Sequence, residues 1–345
     1  MKVLMTGDAV GGVWAYALEL IDALAVHNID VALAVLGPRP GSAQRRQLAA
    51  SAVESVHERA YALEWMPGAA ADLPRTRRWL LDIAEEEQPD VVHLNGYAHA
   101  AFPFSQPVVS VAHSCVLSWH EAVRGRPAGS EWNWYRQAVS AGIAAASAVV
   151  APTAAMLAEI ERLYCPGGKC IVIPNGRSPV PPLPKERFVI GAGRIWDDAK
   201  NLAALERVAP SLDCPVLVAG GDLPAADVAE LLGRAAVFAA PARYEPFGLA
   251  ALEAALAGCA LVLGDIRSLR EVWGDAALYA DSQDDVALLG ALRRALREPE
   301  PLARAARTRA GRYTPAAMAV RYVELYDRLL SERLGGARER PTVVG

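Results

Sequence analysis

Short apolar runs alternate with longer amphipathic stretches along most of the chain, the pattern of βαβ units feeding a parallel sheet. In the first half, residues 2–6, 30–36, 89–94, 107–113, 148–151 and 171–173 read as strands. Stretches at about 13–26, 72–87 and 132–146 carry the helical period and read as crossovers. The rhythm then breaks at Pro174–Pro184, where five prolines remove backbone donors and exclude both helix and central strand. Beyond this linker candidate it restarts, with strands at 187–192, 215–219, 235–240 and 260–263. Helices are predicted at about 202–209, 225–232, 248–257 and 286–297. A last helix over 315–333 has Tyr322, Leu325, Tyr326 and Leu329 at i, i+3, i+4, i+7 spacing, and 335–345 reads as a frayed tail. The expected architecture is α/β: two doubly wound parallel-sheet domains, Rossmann-like, facing a deep cleft.

Composition agrees with that size and class. The chain has 345 residues, more than one ordinary core holds. It is 53% hydrophobic and 21% charged, which excludes a disordered chain. A net charge of −4 gives no general drive toward nucleic acid. Met1–Met5 runs straight into Thr6-Gly7-Asp8 without the apolar stretch of an export signal. The longest weakly polar run, 139–152, is shorter than the roughly 20 apolar residues of a membrane helix. A soluble cytoplasmic protein is expected. The five cysteines (115, 165, 170, 214 and 259) are too scattered for a disulfide framework and are expected to be reduced and mostly buried.

In open α/β sheets ligands bind beyond the carboxyl ends of the strands. Three segments there carry candidate chemistry. Gly7-Asp8-Ala9-Val10-Gly11-Gly12 follows the first strand and opens a helix, which suits an anion. It matches neither the dinucleotide fingerprint nor a Walker A loop, and a tight turn explains it equally well. Gly193-Arg194 and Lys200-Asn201 supply two cations near a helix start, apt for a diphosphate, although salt bridges to Asp197 and Asp198 would also account for them. The third segment, Pro241–Ala254, holds Glu245 and Glu253 eight positions apart, about 12 Å along a continuous helix. That is too far for a glycosidase carboxyl pair, and better suited to one extended ligand gripped at two points. The amides of Phe247, Gly248 and Leu249 would face it from the helix N-terminus.

The E-x7-E element Glu245–Glu253, with the following 254–262, resembles the signature of the retaining glycosyltransferases of family 4, which have the GT-B fold. Gly193-Arg194 with Lys200, the segments 172–176, 149–153 and 269–272, and Gly11-Gly12 fit the same family, so the likeness covers essentially the whole chain. It implies an acceptor-side domain 1–175, a linker 176–186 and a nucleotide-sugar domain 187–314, with helix 315–333 packing back on the first domain. It further implies that Arg194 and Lys200 hold the donor diphosphate, with Gly193 and Gly12 allowing close approach beside Gly11. Glu253 would bind the ribose, Glu245 and the amides of Phe247–Leu249 the donor sugar, and His113 would reach the reaction centre. Catalytic roles are thus expected for His113, Arg194, Lys200 and Glu245.

The implied reaction moves a sugar from a UDP- or GDP-sugar to an unknown hydroxyl, with retention and without a metal, since no D-x-D motif is present. No cofactor is required. Expected acceptors are saccharides, lipid-linked or small molecules, with no nucleic acid partner and at most peripheral contact with the inner face of the cell membrane. A non-catalytic nucleotide-sugar binder and a sugar-nucleotide epimerase or hydrolase are the alternatives. Asn95 and Tyr97, after the 89–94 strand, and Trp119 are candidates for the acceptor side. Trp132 and Trp134 would either stack on sugar or pack helices. All six histidines fall in the first 120 residues without a metal-ligand pair on a helix, and His93 reads as a core residue. Arg75, Arg77, Arg78 and Trp79 form either a membrane-surface patch or, more simply, a solvated helix start. Two positions depart from the family pattern: Asn201 stands where glycine is frequent, and Ala242 where serine is.

Overall fold

A computed structural model of the chain describes residues 1–220, 223 and 225–338. The first sheet contains β1 (Lys2–Asp8), β2 (Asp30–Leu36), β3 (Ser55–Glu58), β4 (Val91–Leu94), β5 (Val108–Val111), β6 (Ala148–Ala151) and β7 (Cys170–Val172). Its order is β3-β2-β1-β4-β5-β6-β7, all parallel. The second contains β8 (Glu186–Ala192), β9 (Val216–Ala219), β10 (Ala235–Ala240), β11 (Ala260–Gly264) and β12 (Leu278–Ala280). Its order is β12-β11-β10-β8-β9, again parallel.

Helices cover both faces of each sheet, so adjacent strand residues feed opposite cores and the strands read as unbroken apolar runs. In β1, Leu4 joins one core while Val3 and Met5 join the other. In the second sheet, Ile190 and Phe238 point to one side, Val189 and Val237 to the other. Strand order reverses between β1 and β4 in one sheet and between β8 and β10 in the other. The loops leaving those four strands therefore border the two ligand crevices.

The chain crosses between lobes twice, and the crossings touch. Residues 174–184 form no regular element. Within them, a Cβ at Gly176 would stand 2.3 Å from the Thr314 carbonyl oxygen, so only glycine fits. The helix Pro315–Arg338 then returns to the first lobe. Met318, Ala319, Tyr322, Leu325, Tyr326 and Leu329 complete its core against Leu20, Ile21 and Leu24. Tyr326 Oη lies 2.6 Å from His93 Nδ1, and Tyr16 Oη donates to Tyr322 Oη (2.6 Å), tying this helix to the sheet through buried polar groups.

Several elements differ from the sequence pattern. Residues 335–338, expected to fray, continue the last helix, and 339–345 lie outside the described residues. The helix expected from Asp72 starts at Ala69, after Gly68 in the left-handed conformation, and accommodates Pro74 in its first turns. The helices Ser42–Ala50, Val116–Arg124, Ala154–Tyr164, Arg267–Trp273 and Pro299–Ala310 were not anticipated, nor were the short outer strands β3 and β12. Most of these bury few side chains: Pro299–Ala310 buries only Ala306 and Ala310, so an apolar period is hardly present. Arg267–Trp273 buries Ser268, Leu269, Val272 and Trp273 but is too short to show one. The cysteines are free, but Cys165 is exposed and only Cys115 and Cys259 are fully buried, a correction to the expectation of mostly buried thiols.

Candidate active site between the two sheets

The glycine loop after β1 faces Arg194 of the other lobe. Gly11 has φ 153° and ψ −134°, a conformation that favours glycine, and a Cβ there would lie 3.0 Å from Arg194 Nη1. Next to it, a Cβ at Gly12 would lie 3.3 Å from Leu249 Cδ1, so the first helix of one lobe meets the E-x7-E helix of the other. Asp8 accepts from Val10 N–H (2.8 Å). Burial raises its carboxyl above the usual range, against the opposing pull of the Val10 N–H and the charge of Arg194.

Arg194 leaves β8 through Gly193 and bonds Asp197 through Nη2 (2.6 Å). Its Nε–H is buried and finds no acceptor among the described residues. Burial pushes the Asp197 carboxyl up, but Arg194, the Ala199 N–H and the Trp119 indole outweigh it and hold the acid below its ordinary value. Lys200 Nζ pairs with Glu245 Oε2 at 2.5 Å. The two cations and Glu245 thus sit at the switch point between β8 and β10. Of the salt bridges the sequence offered as an alternative, only Arg194–Asp197 forms: Lys200 pairs with Glu245, and Asp198 with Arg124.

Asn201 explains its own departure from glycine. It has φ 51°, which asparagine tolerates, and its buried amide donates to the carbonyls of Pro241 (3.0 Å) and Ser282 (2.8 Å). The backbone kink after Lys200 is thereby fixed by hydrogen bonds. Ala242 is buried under Gly264, where any Cβ would meet its carbonyl at 2.2 Å. Glu245 and Glu253 do not share a helix, because the helix begins at Leu249 after Gly248 with φ 94°. The distance reckoned along a continuous helix therefore does not apply. Phe247 is buried in the second lobe's core, which leaves the backbone at Gly248 and Leu249 to open the helix toward the cleft.

On the first-lobe side, Asn95 binds Thr6 twice, by its N–H to Oγ1 (2.9 Å) and by its side-chain amide to the carbonyl (2.5 Å). Its Oδ1 is then free to accept from His113 Nε2 (2.9 Å), which puts the proton on Nε2 and leaves Nδ1 as an acceptor. Burial lowers the His113 pKa to about 3, so the ring is neutral, and it rests edge-on against Tyr16 with centroids 4.5 Å apart. His93 is fully buried among tyrosines, with its pKa lowered to about 3 by burial and by the neighbouring His113.

Asn95, Tyr97 and His113 line one pocket at the ends of β1, β4 and β5, together with Asp8, Glu64 and Trp65. Trp119 is elsewhere. It spans the cleft, donating Nε1 to Asp197 Oδ1 (3.2 Å). Trp132 and Trp134 pack edge-on against Tyr135 beside the first core, as helix-packing residues rather than a sugar platform. Trp79 is buried edge-on to Tyr61, so it cannot contribute to a membrane patch with the exposed Arg75, Arg77 and Arg78. Among the described residues no helix is long and apolar enough to cross a membrane, and no three His, Cys, Asp or Glu side chains form a group fit to hold a metal ion.

Other residues at the cleft escaped the sequence reading. Arg177, in the crossover, donates to Glu253 Oε1 (2.7 Å) and to Glu19 Oε1 (2.8 Å), linking the E-x7-E helix to the first lobe. Tyr244 reaches into the first lobe, where its Oη accepts from the Cys115 N–H (2.9 Å) and lies 3.0 Å from Ser118 Oγ. Glu271 caps the helix Ala154–Tyr164 from across the boundary, accepting from the N–H groups of Ala154 (2.7 Å) and Ala155 (2.8 Å). Glu64 sits in a stretch with no period, and only its position in space reveals it.

Two parallel-sheet α/β domains that close on one cleft define a GT-B architecture. Residues 10–179 match the family model described as Glycosyltransferase Family 4, and 215–313 match Glycosyl transferases group 1. A glycogen synthase of Mycobacterium tuberculosis is 28% identical over 271 residues, 66% of this chain, and the match spans only 65% of that protein's length. An O-antigen chain mannosyltransferase B of Escherichia coli is 44% identical over 64 residues, 19% of this chain and 17% of its own. The fold is similar to sucrose-phosphate synthase from Thermosynechococcus elongatus, with TM-score 0.79, 19% identity, and 96% and 100% of the two chains covered. It is also similar to Anabaena HepE in complex with UDP and glucose, with TM-score 0.73, 18% identity and 95% and 99% coverage. The chain belongs to the family 4 glycosyltransferases.

Proposed function

We propose that the protein transfers a sugar from a nucleoside-diphosphate sugar to a hydroxyl acceptor, with retention of anomeric configuration and without a metal ion. The observation that carries this reading is the buried, unpartnered Nε–H of Arg194 beside Lys200, at the switch point of the second sheet. A buried donor on a cation calls for an anion, and a diphosphate supplies acceptors for both side chains. UDP bound to the structurally similar HepE supports a uridine donor. In this reading residues 187–314 hold the donor, 1–175 the acceptor, and 176–186 join them.

Arg194 and Lys200 stabilise negative charge growing on the diphosphate as the bond from the anomeric carbon to the phosphate oxygen breaks. Glu245, hydrogen-bonded to Lys200, and the helix opening at Gly248 and Leu249 orient the donor sugar. Glu253, with Oε1 held by Arg177, presents its other oxygen to the ribose. Gly11 and Gly12 let the first lobe close over the diphosphate, and neutral His113 accepts a sugar hydroxyl at Nδ1. The acceptor oxygen bonds to the anomeric carbon from the face the diphosphate leaves, and its proton passes to the departing phosphate oxygen. These two cations neutralise the leaving group in place of a divalent ion. The test is an assay of UDP-sugars and GDP-sugars with and without acceptors, in the presence of EDTA. Acceptor-dependent release of nucleoside diphosphate, with the glycosidic product of unchanged configuration by NMR, is expected. Donor breakdown that needs no acceptor would instead indicate a hydrolase or epimerase.

A further inference from the structure

The pocket beyond β1, β4 and β5 is acidic, and its charge bears on what the acceptor is. Its described lining residues include two carboxylates, Asp8 and Glu64, and no lysine or arginine. The histidines there, His99 and His113, are kept neutral by burial, at about 4 and about 3. Arg194, the cation facing Asp8, is turned toward Asp197 and the glycine loop. Glu64 is built in rather than adventitious. Its Oε2 accepts from the N–H groups of Tyr97 (3.0 Å) and Ala98 (2.9 Å), while no described residue donates to Oε1. Trp65, the next residue, stands at the mouth and stacks on Trp196 of the other lobe with centroids 6.3 Å apart.

We propose that this pocket selects an acceptor that is a polyhydroxyl group bearing no phosphate or carboxylate, with a hydroxyl or amine donating to Glu64 Oε1 and Trp65 covering its apolar face. This rests on the glycosyltransferase reading above. A sugar phosphate would bring an anion beside two buried carboxylates in a pocket whose described lining has no lysine or arginine, whereas O–H and N–H groups satisfy the free oxygen. An indole beside a carboxylate matches the mixed apolar and hydroxyl faces of a sugar ring.

The experiment follows the Trp65 indole N–H signal of the UDP-saturated protein by NMR, assigned with Trp65→Phe, during titration with methyl glucoside, glucosamine and glucose 6-phosphate. Methyl glucoside and glucosamine are expected to shift the signal, glucosamine at the lower concentration because its ammonium pairs with Glu64, with glucose 6-phosphate binding at least tenfold more weakly than either. Glu64→Gln is expected to remove the advantage of glucosamine over methyl glucoside while UDP affinity, the check on folding, stays unchanged. Equal or tighter binding of glucose 6-phosphate, no response to any of the three, or an unaltered ranking in Glu64→Gln overturns the proposal. Failure of UDP to bind at all overturns the donor reading, and this inference with it.

Discussion

Gly11 of the first lobe and Arg194 of the second meet across the cleft, so closely that a Cβ on the glycine would come within 3.0 Å of the guanidinium. Apolar contacts, Gly12 against Leu249 and Trp65 against Trp196, also join the lobes, but at this point they meet at a cation, Arg194. Its partner Asp197 is also bound by Trp119 of the first lobe, so the contact is fixed from both sides.

Removing either cation is expected to disable transfer without unfolding the chain. Arg194→Ala and Lys200→Ala should each lower kcat/KM by about a hundredfold or more, the range seen when one charge-stabilising donor is deleted. Melting curves should stay near that of the wild type, since both side chains line the cleft. Wild-type-like transfer in both variants would refute the diphosphate assignment.

Gly176→Ala tests the double crossing. The added methyl would overlap the Thr314 carbonyl, which stands 2.3 Å from the ideal Cβ position, so backbone must move. A loss of about 1–3 kcal/mol is expected from urea unfolding. An unchanged midpoint would mean that the crossing is slack.

Tyr244→Phe removes the oxygen that accepts from the buried Cys115 N–H. Leaving that donor unsatisfied should cost about 1–3 kcal/mol. Because Tyr244 belongs to the second lobe and Cys115 to the first, the loss should also loosen the lobes. Small-angle scattering should show a larger radius of gyration for the variant.

Stability should fall with acid through the histidine range. His93 and His113 titrate at about 3 in the folded chain, against about 6.5 when unfolded, so the unfolded state binds more protons between those values. The folded state is favoured fully above about 6.5 and loses that advantage as pH drops toward 3. At pH 5 each buried ring should cost about 2 kcal/mol relative to neutral pH. Urea midpoints at pH 7.5 and 5 measure it, and His93→Gln should flatten the slope. An equal slope in the variant would mean that His93 does not carry it.

Strands buried on both faces were the most legible part of the chain: β2, β6 and β10 have the limits their apolar runs suggest. Elements that bury little, such as β3 and Pro299–Ala310, left no period to detect. At the cleft, Arg194, Lys200, Glu245 and Gly11 stand out in the sequence because each lies two to eight positions beyond the end of a strand. Glu64, Arg177 and Glu271 act through partners 33 to 158 positions away, and no local pattern announces such contacts. Trp119 and Trp79 show the converse, as conspicuous residues whose surroundings alone decide their role.

The central claim is that Arg194 and Lys200 hold a nucleotide diphosphate, and calorimetric titration of UDP into the wild type and the two alanine variants tests it most directly. A single site in the wild type, weakened at least tenfold in each variant with the melting temperature of the unliganded protein unchanged, is the predicted result. Equal UDP affinity in all three proteins would contradict it.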